Sequence, residues 1–345
     1  LLAGTAAGAV GLSLAACGKG KKSGSQADSK TVTVVTHDSF HVSEDLQKAF
    51  TSETGYTLKV ATSGDAGALV NKLVLTKDAP LGDAVFGIDN TYATRALDQG
   101  VIDTSATVTL PKGAESYVVA DTPALAPIDV GDVCLNIDTG YFTGKGLTPP
   151  ATFEDLTKPE YKGLLVAINP TNSSPGMAWL LATIGHFGAG SFAGYWKQLM
   201  ANGARIAEDW SAAYETDFSG SGKGTYPIVV SYASSPSFTV SKDKSSSTTS
   251  ALLDTAFRQV EYAGVLKGAA NPEGGKAFVT WMLSKAVQED IPGQMYMYPV
   301  LPDAALPEAL TKFGPLSKSP VKVDPKEITT HREEWLNTWT EAVGK

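Results

Sequence analysis

Two hydrophobic periods alternate along the first hundred residues of the chain. Residues 31–36 form a β-branched run typical of a strand, and residues 56–60 alternate apolar and polar positions with a period of two. Between them, apolar residues three and four positions apart within 46–50 predict a helix. Ser43 is a favourable residue to begin that helix, and Gly55 is a favourable residue to end it. This stretch therefore predicts a strand, a helix and a second strand.

The same order repeats further along the chain. Apolar residues at helical spacing follow Ala66, a third strand is predicted over 83–88, and a third helix over 91–100. Strands that alternate with helices form parallel sheets, because each helix carries the chain back across one face of the sheet. The pattern therefore predicts an α/β unit with right-handed crossovers.

A second α/β unit is predicted from about residue 128. Its strands are predicted at 132–137, 164–168, 204–207 and 226–232, and its helices at 176–187, 192–202 and near Ala212. Residues 257–266 predict a strand that returns to the first unit, followed by helices over 274–284 and 327–343. We therefore expect lobe 1 to comprise 31–127 and 257–310, lobe 2 to comprise 128–256, and 311–345 to be a C-terminal helical segment.

The apolar residues 1–16 are too few for a membrane-spanning helix, which needs about 20, and they are typical of a signal-peptide core. They end in Leu-Ala-Ala-Cys-Gly, which resembles the bacterial lipobox, whose cysteine accepts a lipid. This implies a lipoprotein signal peptide over 1–16 and lipid attachment at Cys17. An ordinary secretory signal with a chance cysteine is the alternative. Residues 17–30 carry no large apolar side chain and predict a flexible tether after the lipidated Cys17.

Composition excludes several classes of protein. A formal net charge of −8 argues against nucleic acid as a partner, because binding to the phosphate backbone needs basic surface. Two cysteines cannot form a disulfide framework or a cysteine-rich zinc site. Cys134 lies in an apolar run and is predicted to be a buried thiol. The four histidines lack the helical spacing of zinc ligands, so no metal site is predicted.

In open parallel sheets, ligands bind beyond the carboxyl ends of the strands. The first three predicted strands end in acidic and polar residues, which we take as candidate ligand-binding residues. They are His37, Asp38 and Ser39 after the first strand, Gly64 and Asp65 after the second, and Asp89 and Asn90 after the third. Helix capping is the alternative role, above all for Asp38. Their position at one edge favours a site that accepts a cation or hydrogen-bond donors.

The second unit offers matching candidates at its own strand ends. Ser174 and Gly176 begin a predicted helix, whose free N–H groups favour an anion or a polar ligand group. Asp209 and Trp210 directly follow a predicted strand, and Tyr232 ends another. Two facing sets of strand ends predict a cleft that closes on a small molecule.

Several stretches are similar to one family of transport proteins. They are 34–40 (Val-Val-Thr-His-Asp-Ser-Phe), 86–90, 169–176, 210–214 (Trp-Ser-Ala-Ala-Tyr), 230–236 (Val-Ser-Tyr-Ala-Ser-Ser-Pro) and 297–300. On these residues the chain resembles the thiamine-binding proteins of bacterial ABC importers. The resemblance implies an α/β, two-lobed type 2 periplasmic-binding-protein (Venus-flytrap) fold, with no cofactor and no enzymatic activity. It also implies a monomer, anchored by lipid to the outer face of the cell membrane, with an ABC importer permease as its partner.

The resemblance further implies an aromatic-lined cleft for thiamine or its phosphates. Thiamine carries a permanently positive thiazolium ring, which aromatic faces and carboxylates attract. In the matching segments the candidate contacts are Trp210, Tyr214, Tyr232 and Ser235. A phosphate would meet Ser174 and Gly176, or the turn at Gly64 and Asp65.

Three positions depart from the family pattern. His37 and Phe238 stand where the family has Tyr, and Tyr296 stands where it has Trp. A protonated His37 would repel a cation, so the cargo stays open between thiamine, its mono- or diphosphate and a related heterocycle. A polyamine or ferric iron is the alternative cargo for the same class of receptor. A secreted thiamine-degrading enzyme is a further alternative, but its cysteine nucleophile would have to be Cys134, which lies within a predicted strand.

Overall fold

A computed structural model describes residues 30–221 and 223–344. The predicted signal peptide, Cys17 and most of the predicted tether lie outside the described residues. Among the helices that the structure describes, none combines the length and the apolar character needed to cross a membrane.

The first half of the molecule has the predicted alternation of strands and helices. β1 and β2 pair in parallel, as do β1 and β3. Helix α1 ends at Gly55, whose φ of 74° is a left-handed conformation that glycine adopts without strain. The elements are β1 (Thr31–Thr36), α1 (Glu44–Thr54), β2 (Thr57–Thr62), α2 (Ala66–Leu75), β3 (Ala84–Asp89) and α3 (Ala93–Asp98).

Two long strands join the two halves of the sheet. β4 (Ala126–Asp138) and β8 (Thr249–Val265) pair antiparallel along most of their length. The remaining strands are β5 (Leu165–Ile168), β6 (Arg205–Ala207), β7 (Ile228–Tyr232) and β9 (Tyr298–Pro299). The strand order is β2-β1-β3-β8-β4-β7-β5-β6, with β9 on β4, so the first half of the sheet holds β1, β2 and β3 and the second half holds β5, β6 and β7. Because both long strands run through the two halves, the lobe boundaries at 128 and 257 stay predictions.

The prediction for these two long strands was too short. The sequence predicted 132–137 and 257–266, whereas β4 begins at Ala126 and β8 at Thr249. Pro127, Asp129 and Gly131 break the apolar pattern of β4, although all three are buried in the sheet. A strand that is buried with polar residues in it does not show an alternating pattern.

Further helices follow β4 along the chain. They are α4 (Thr139–Lys145), α5 (Ser174–Phe187), α6 (Phe192–Ala201), α7 (Pro272–Met282), α8 (Lys285–Met295), α9 (Glu308–Phe313) and α10 (Pro325–Val343). Several of them pack on the sheet: α5 contacts β7 and β8, and α7 contacts β1, β3 and β8. A π-helical turn over Ala212–Asp217 stands where a helix was predicted. Helices α4, α8 and α9 were not predicted: α4 and α9 are short, and Pro292 interrupts α8.

The C-terminal helix α10 packs on both halves of the molecule. The Trp339 ring contacts Trp196 of α6 edge-on, at 5.6 Å between centroids. The Arg332 guanidinium lies 4.1 Å from the centroid of the Tyr92 ring, next to α3. Trp335 and Trp339 are buried, so the apolar stripe of this helix serves packing, as the sequence predicted.

Candidate ligand-binding site

A cavity of about 300 Å³ lies where the strand ends of the two halves face each other. Its volume is at the lower end of the range of small-molecule sites, about 300–1,000 Å³. The loops after β1 and β2 form one side, and the residues after β6 and at the end of β7 form the other. It is lined by His37, Asp38, Ser39, Asp65, Ser174, Pro175, Trp210, Ser211, Glu215, Tyr232, Glu261, Gln294, Met295, Tyr296 and Met297.

Trp210, Tyr232 and Tyr296 form an aromatic wall of this cavity. The Trp210 ring stacks on Tyr214, at 5.0 Å between centroids and 12° between planes, and its Nε1 donates to Ser231 Oγ at 3.0 Å. Its centroid is 6.1 Å from that of Tyr296. Stacking on one face and a hydrogen bond at the edge fix the Trp210 ring, so its orientation in the cavity is set before a ligand arrives.

Tyr296, the residue at the end of α8, shapes the end of this wall. Tyr296 follows α8 with a φ of +63°, a left-handed conformation that is costly for a residue with a side chain. Its ring contacts Phe238 edge-on, at 3.7 Å between centroids. Phe238 is itself exposed, so the pair closes the aromatic wall toward solvent.

Four carboxylates line the same cavity as the aromatic wall. They are Asp38, Asp65, Glu215 and Glu261, and we call them the acidic wall. Among the lining residues that the structure describes, none is a lysine or an arginine. Glu261 is the most enclosed member, with 5% of its surface exposed. The cavity therefore combines aromatic faces with negative charge.

Two further carboxylates are buried beside Glu261 in the sheet. The strand register places Asp89 of β3 on one side of Glu261 and Asp129 of β4 on the other. Both are fully buried. Burial raises the pKa of Asp89 to about 7. Burial and the neighbouring Glu261 raise the pKa of Asp129 as well, and neither oxygen of Asp129 accepts a hydrogen bond from a described residue.

The two halves touch along one edge of the cavity. The amide groups of Gly67 and Ala68 donate to the Asn172 carbonyl at 3.1 and 3.3 Å. Asp65 Oδ1 accepts from Ser174 N at 3.3 Å, across the same boundary. A Cβ on Gly67 would lie 2.7 Å from Asn172 O, so only glycine permits this approach. The structure therefore has the two halves closed over the cavity.

The known proteins that this chain resembles bind solutes, which agrees with a cavity between the two halves. The family described as bacterial extracellular solute-binding proteins matches residues 83–314, which is most of the described chain. The chain belongs to this family. Membership, together with relatives that are named periplasmic, identifies an extracytoplasmic protein with a solute-binding role.

Curated relatives of this solute-binding protein share one name. The thiamine-binding periplasmic protein of Salmonella typhimurium is 27% identical over 326 residues, covering 91% of this chain and 94% of its own. The protein of the same name from Brucella suis is 27% identical over 329 residues, with 91% and 92% covered. The predicted resemblance to thiamine-binding proteins is confirmed.

Solved structures confirm the predicted two-lobed α/β fold of this solute-binding protein. A periplasmic thiamin binding protein superposes with a TM-score of 0.78 at 25% identity, covering 91% of this chain and 96% of the other. An iron-bound binding protein from Pseudomonas aeruginosa gives a TM-score of 0.70 at 20% identity, covering 90% of this chain and 99% of the other. The second likeness concerns the fold alone.

Many residues predicted from strand ends line the cavity of this solute-binding protein. They are His37, Asp38, Ser39, Asp65, Ser174, Trp210 and Tyr232, and Tyr296, a candidate taken from the family resemblance, lines the cavity as well. The rule about strand ends therefore places the cavity correctly in the fold. Their contacts with a ligand stay predictions.

The other predicted residues lie beside the cavity rather than on its lining. Gly64 N donates to Asp38 Oδ1, and Asp209 Oδ1 accepts from Ala212 N, which is the capping role. Asn90 bonds the backbone of Arg258 and Val260 on β8. Asp89 is buried in the sheet, and Gly176 packs on the Asn169 carbonyl. Tyr214 stacks on Trp210, and Phe238 contacts Tyr296. The Ser235 hydroxyl forms a hydrogen bond with Ser231 Oγ.

The lining residues that sequence reasoning missed are Pro175, Ser211, Glu215, Glu261, Gln294, Met295 and Met297. Glu261 is the most consequential of them, because it is the buried member of the acidic wall. It lies within β8 and not at a strand end, so the rule that found the others did not apply. An acidic residue within the apolar run 260–266 (Val-Glu-Tyr-Ala-Gly-Val-Leu) was the available signal.

Cys134 is a buried free thiol within β4, as predicted. It pairs with Ser231 in the ladder and packs with Ala233 and Ala256. Burial raises the pKa of this thiol well above its ordinary value, and Asp132 adds to the effect. The Cys134 thiol is thus unreactive and is not among the cavity lining.

Proposed function

We propose that this solute-binding protein captures thiamine in the cavity and delivers it to an ABC importer. The observation that carries the proposal is that the aromatic wall of Trp210, Tyr232 and Tyr296 lines the same cavity as the buried carboxylate of Glu261. A thiazolium ring is flat and permanently positive, so it gains both from aromatic faces and from negative charge. The thiamine-binding relatives support the same cargo.

Thiamine is favoured over its phosphates by the charges of the cavity. The N-terminus of α5 would be the natural place for a phosphate, but Ser174 N already donates to Asp65 there. The remaining carboxylates of the acidic wall would repel a phosphate group. We therefore expect affinity to fall in the order thiamine, thiamine monophosphate, thiamine diphosphate.

Attachment of the protein to the membrane is part of the proposal. A lipid on Cys17 and a tether over residues 17–30 would hold the protein near the permease at the outer face of the membrane. Labelling cells with a fatty-acid probe tests this: incorporation into the wild type and its loss in Cys17→Ala are expected. Equal labelling of both would contradict lipid attachment at Cys17.

Calorimetric titration of the ligand-stripped protein with thiamine tests the cargo. Trp210→Leu removes a cation–π face, so we expect binding to weaken by about 1–2 kcal/mol, or roughly tenfold. Tyr141→Leu is the matched control, because Tyr141 is a half-buried aromatic of α4 outside the cavity. Wild type that binds no thiamine up to about 1 mM would contradict the proposal. Equal affinity of both variants would remove Trp210 from the site.

A second pair of variants tests closure of the two halves on the ligand. Gly67→Ala adds a methyl that would meet the Tyr92 hydroxyl at 2.6 Å and, across the boundary between the halves, the Asn172 carbonyl at 2.7 Å. Gly194→Ala is the control, since a Cβ there meets nothing within 4 Å. We expect Gly67→Ala to weaken thiamine binding about tenfold or more, and denaturant unfolding of the ligand-free variant measures separately what the contact with Tyr92 costs in stability. Unchanged affinity would mean that binding does not need this closed arrangement.

The acidic wall leaves one alternative cargo open, because its four carboxylates would also attract a polyamine. Spermidine in the same calorimeter decides between the two cargoes. Binding of spermidine that is tighter than that of thiamine would favour the alternative. For ferric iron, no cluster of three or more potential ligands from His, Cys, Asp and Glu occurs among the described residues, and metal analysis of the purified protein tests it.

A further inference from the structure

His37 and Glu261 form a pair at the inner end of the cavity. Their Nε2 and Oε1 atoms are 3.4 Å apart, and both side chains are buried. Both also line the cavity, so a bound ligand would meet them together. Glu261 is thus the deepest negative charge available to a ligand, and His37 already occupies one side of it.

The hydrogen bond that the His37 ring accepts favours one protonation state. Ser39 N donates to His37 Nδ1 at 3.1 Å. A ring nitrogen that accepts a hydrogen bond carries no proton, so this bond favours a neutral imidazole with its hydrogen on Nε2. Nε2 lies 3.4 Å from Glu261 Oε1 but outside hydrogen-bond geometry. Protonation would add a hydrogen at Nδ1, against the Ser39 N–H, and would break that bond.

The backbone of β3 holds the ring in this position. Gly87 has a φ of +97° and lies at an irregularity in the pairing of β3 with β8. A Cβ on Gly87 would lie 2.0 Å from His37 Cδ2, so the ring fills the place of a side chain. On its other side the ring contacts Phe86, at 5.4 Å between centroids. His37 thus has little freedom to swing away from Glu261.

The charges around His37 come from several elements and are mostly negative. Glu261 of β8, Asp65 at the start of α2 and Asp38 of its own loop act on the imidazole. Burial opposes a charged ring, but these carboxylates outweigh it and raise the pKa of His37 above 6.5. Behind Glu261 lie Asp89 of β3 and Asp129 of β4, and Arg332 of α10 acts on Asp89 from beyond the cavity. The negative charge around His37 therefore favours its protonated form in the absence of a cationic ligand.

We propose that His37 and the positive ring of the ligand compete for the negative charge of Glu261, so that capture of the cation expels one proton from the cavity. The inference rests on the proposed cationic cargo. The imidazolium gives its Nδ1 proton to the solvent buffer, the freed Nδ1 accepts from Ser39 N, and Nε2–H stays with Glu261. A thiazolium has no proton to lose, so the released proton comes from the protein. Asp89 and Asp129 are also buried beside Glu261 with raised pKa values, and we assign the release to His37 because its ring lines the cavity next to Glu261. His37 thereby makes capture of the cation dependent on pH.

Proton release is measured by titrating thiamine into ligand-stripped protein in two buffers of different ionisation heat, at about pH 6.5. We expect between about one half and one proton released per thiamine bound, and affinity that rises up to about tenfold per pH unit below the pKa of His37. His37→Gln, whose amide can still donate to Glu261, should release none and bind independently of pH. His41→Gln is the control, because His41 is an exposed histidine of the same loop. It should release as many protons as the wild type.

Each outcome separates this inference from the proposed cargo. Thiamine binding with the same heat in both buffers, or equal proton release by His37→Gln, would overturn the inference and leave the cargo in place. No binding would contradict the cargo itself. A ligand-free readout completes the test: NMR titration of the His37 ring should give a lower pKa in Glu261→Gln than in wild type. An unchanged pKa would overturn the competition for Glu261.

Discussion

Two carboxylates three residues apart on β4 have opposite surroundings. Asp132 is fully buried, and both of its oxygens are bonded: Oδ1 accepts from Arg258 Nε at 2.8 Å, and Oδ2 accepts from Arg258 Nη2 at 2.9 Å. Ser317 N adds a third bond at 2.6 Å. Asp129 is equally buried but has no hydrogen-bond donor among the described residues, and its neighbour across the ladder is Glu261.

The difference separates a structural acid from a functional one. Asp132 of β4 is bonded to Arg258 of β8, whose guanidinium compensates its charge. Both residues also bond the backbone of Ser317, which ties the two long strands to the segment before α10. Asp129 has no such partner, and its neighbour Glu261, which lines the cavity, has only His37 at 3.4 Å and the neutral Gln259 amide, which donates at 3.1 Å. Uncompensated buried charge is destabilising, and such groups concentrate at functional sites. We interpret the missing positive charge as the one that a cationic ligand supplies.

Removal of the arginine should have the largest effect on stability. Arg258→Met keeps an apolar stem but leaves Asp132 buried with one donor, so we expect unfolding to become easier by about 3–5 kcal/mol at neutral pH. Arg205→Met is the control, because its partner Asp217 forms an exposed pair, worth about 1 kcal/mol or less. Denaturant unfolding measures both. A loss in Arg258→Met no greater than in the control would erase the comparison.

Neutralising Asp129 should raise the stability of the fold, the opposite of the effect expected for Arg258→Met. Because burial and Glu261 raise the pKa of Asp129, the folded protein keeps a proton that the unfolded chain releases above about pH 4, and stability falls as pH rises. Asp129→Asn lacks this loss, so we expect it to be more stable than wild type by about 2–3 kcal/mol at pH 8. The gain should shrink toward pH 5. Asp254→Asn, at an exposed position of β8, should change little at either pH.

A smaller gain is expected at Asp89. Burial raises its pKa to about 7, so its contribution to stability is lost as pH rises from about 4 through 7. Asp89→Asn removes this loss but gives up the charge-assisted bonds from Thr91 N and Oγ1, so the net gain at pH 8 should be only about 1–2 kcal/mol. Thermal unfolding of the ligand-free wild type and variant at pH 5 and pH 8 measures this gain in stability. A destabilised variant at pH 8 would mean that the charged form of Asp89 is the favoured one.

The sequence predicted the parts of this site that follow general rules of α/β folds. Tyr232 ends β7, Trp210 lies shortly after β6, and Asp38 and Asp65 lie in the loops after β1 and β2. The strand-end rule therefore located these four residues. The first six elements were also predicted, because their apolar positions are regular. Helix α8, which carries the chain to Tyr296, was missed because Pro292 and scattered polar residues hide its period.

The buried acids could not be assigned a role from sequence. Asp129 and Glu261 meet only because β4 and β8, distant in sequence, pair in one register. Asp132 and Arg258 meet through the same ladder, so sequence alone does not distinguish the compensated acid from the uncompensated one. His37 likewise acquires its role from Gly87 and Ser39, whose contacts depend on the bend of β3 and the local loop.

A crystal structure of the ligand-stripped protein soaked or co-crystallised with thiamine tests the central claim most directly. We expect the thiazolium ring between the Trp210 face and the Glu261 carboxylate, with Ser39 N still donating to His37 Nδ1. Thiamine bound away from this cavity, or a cavity that stays empty at saturating thiamine, would contradict the account.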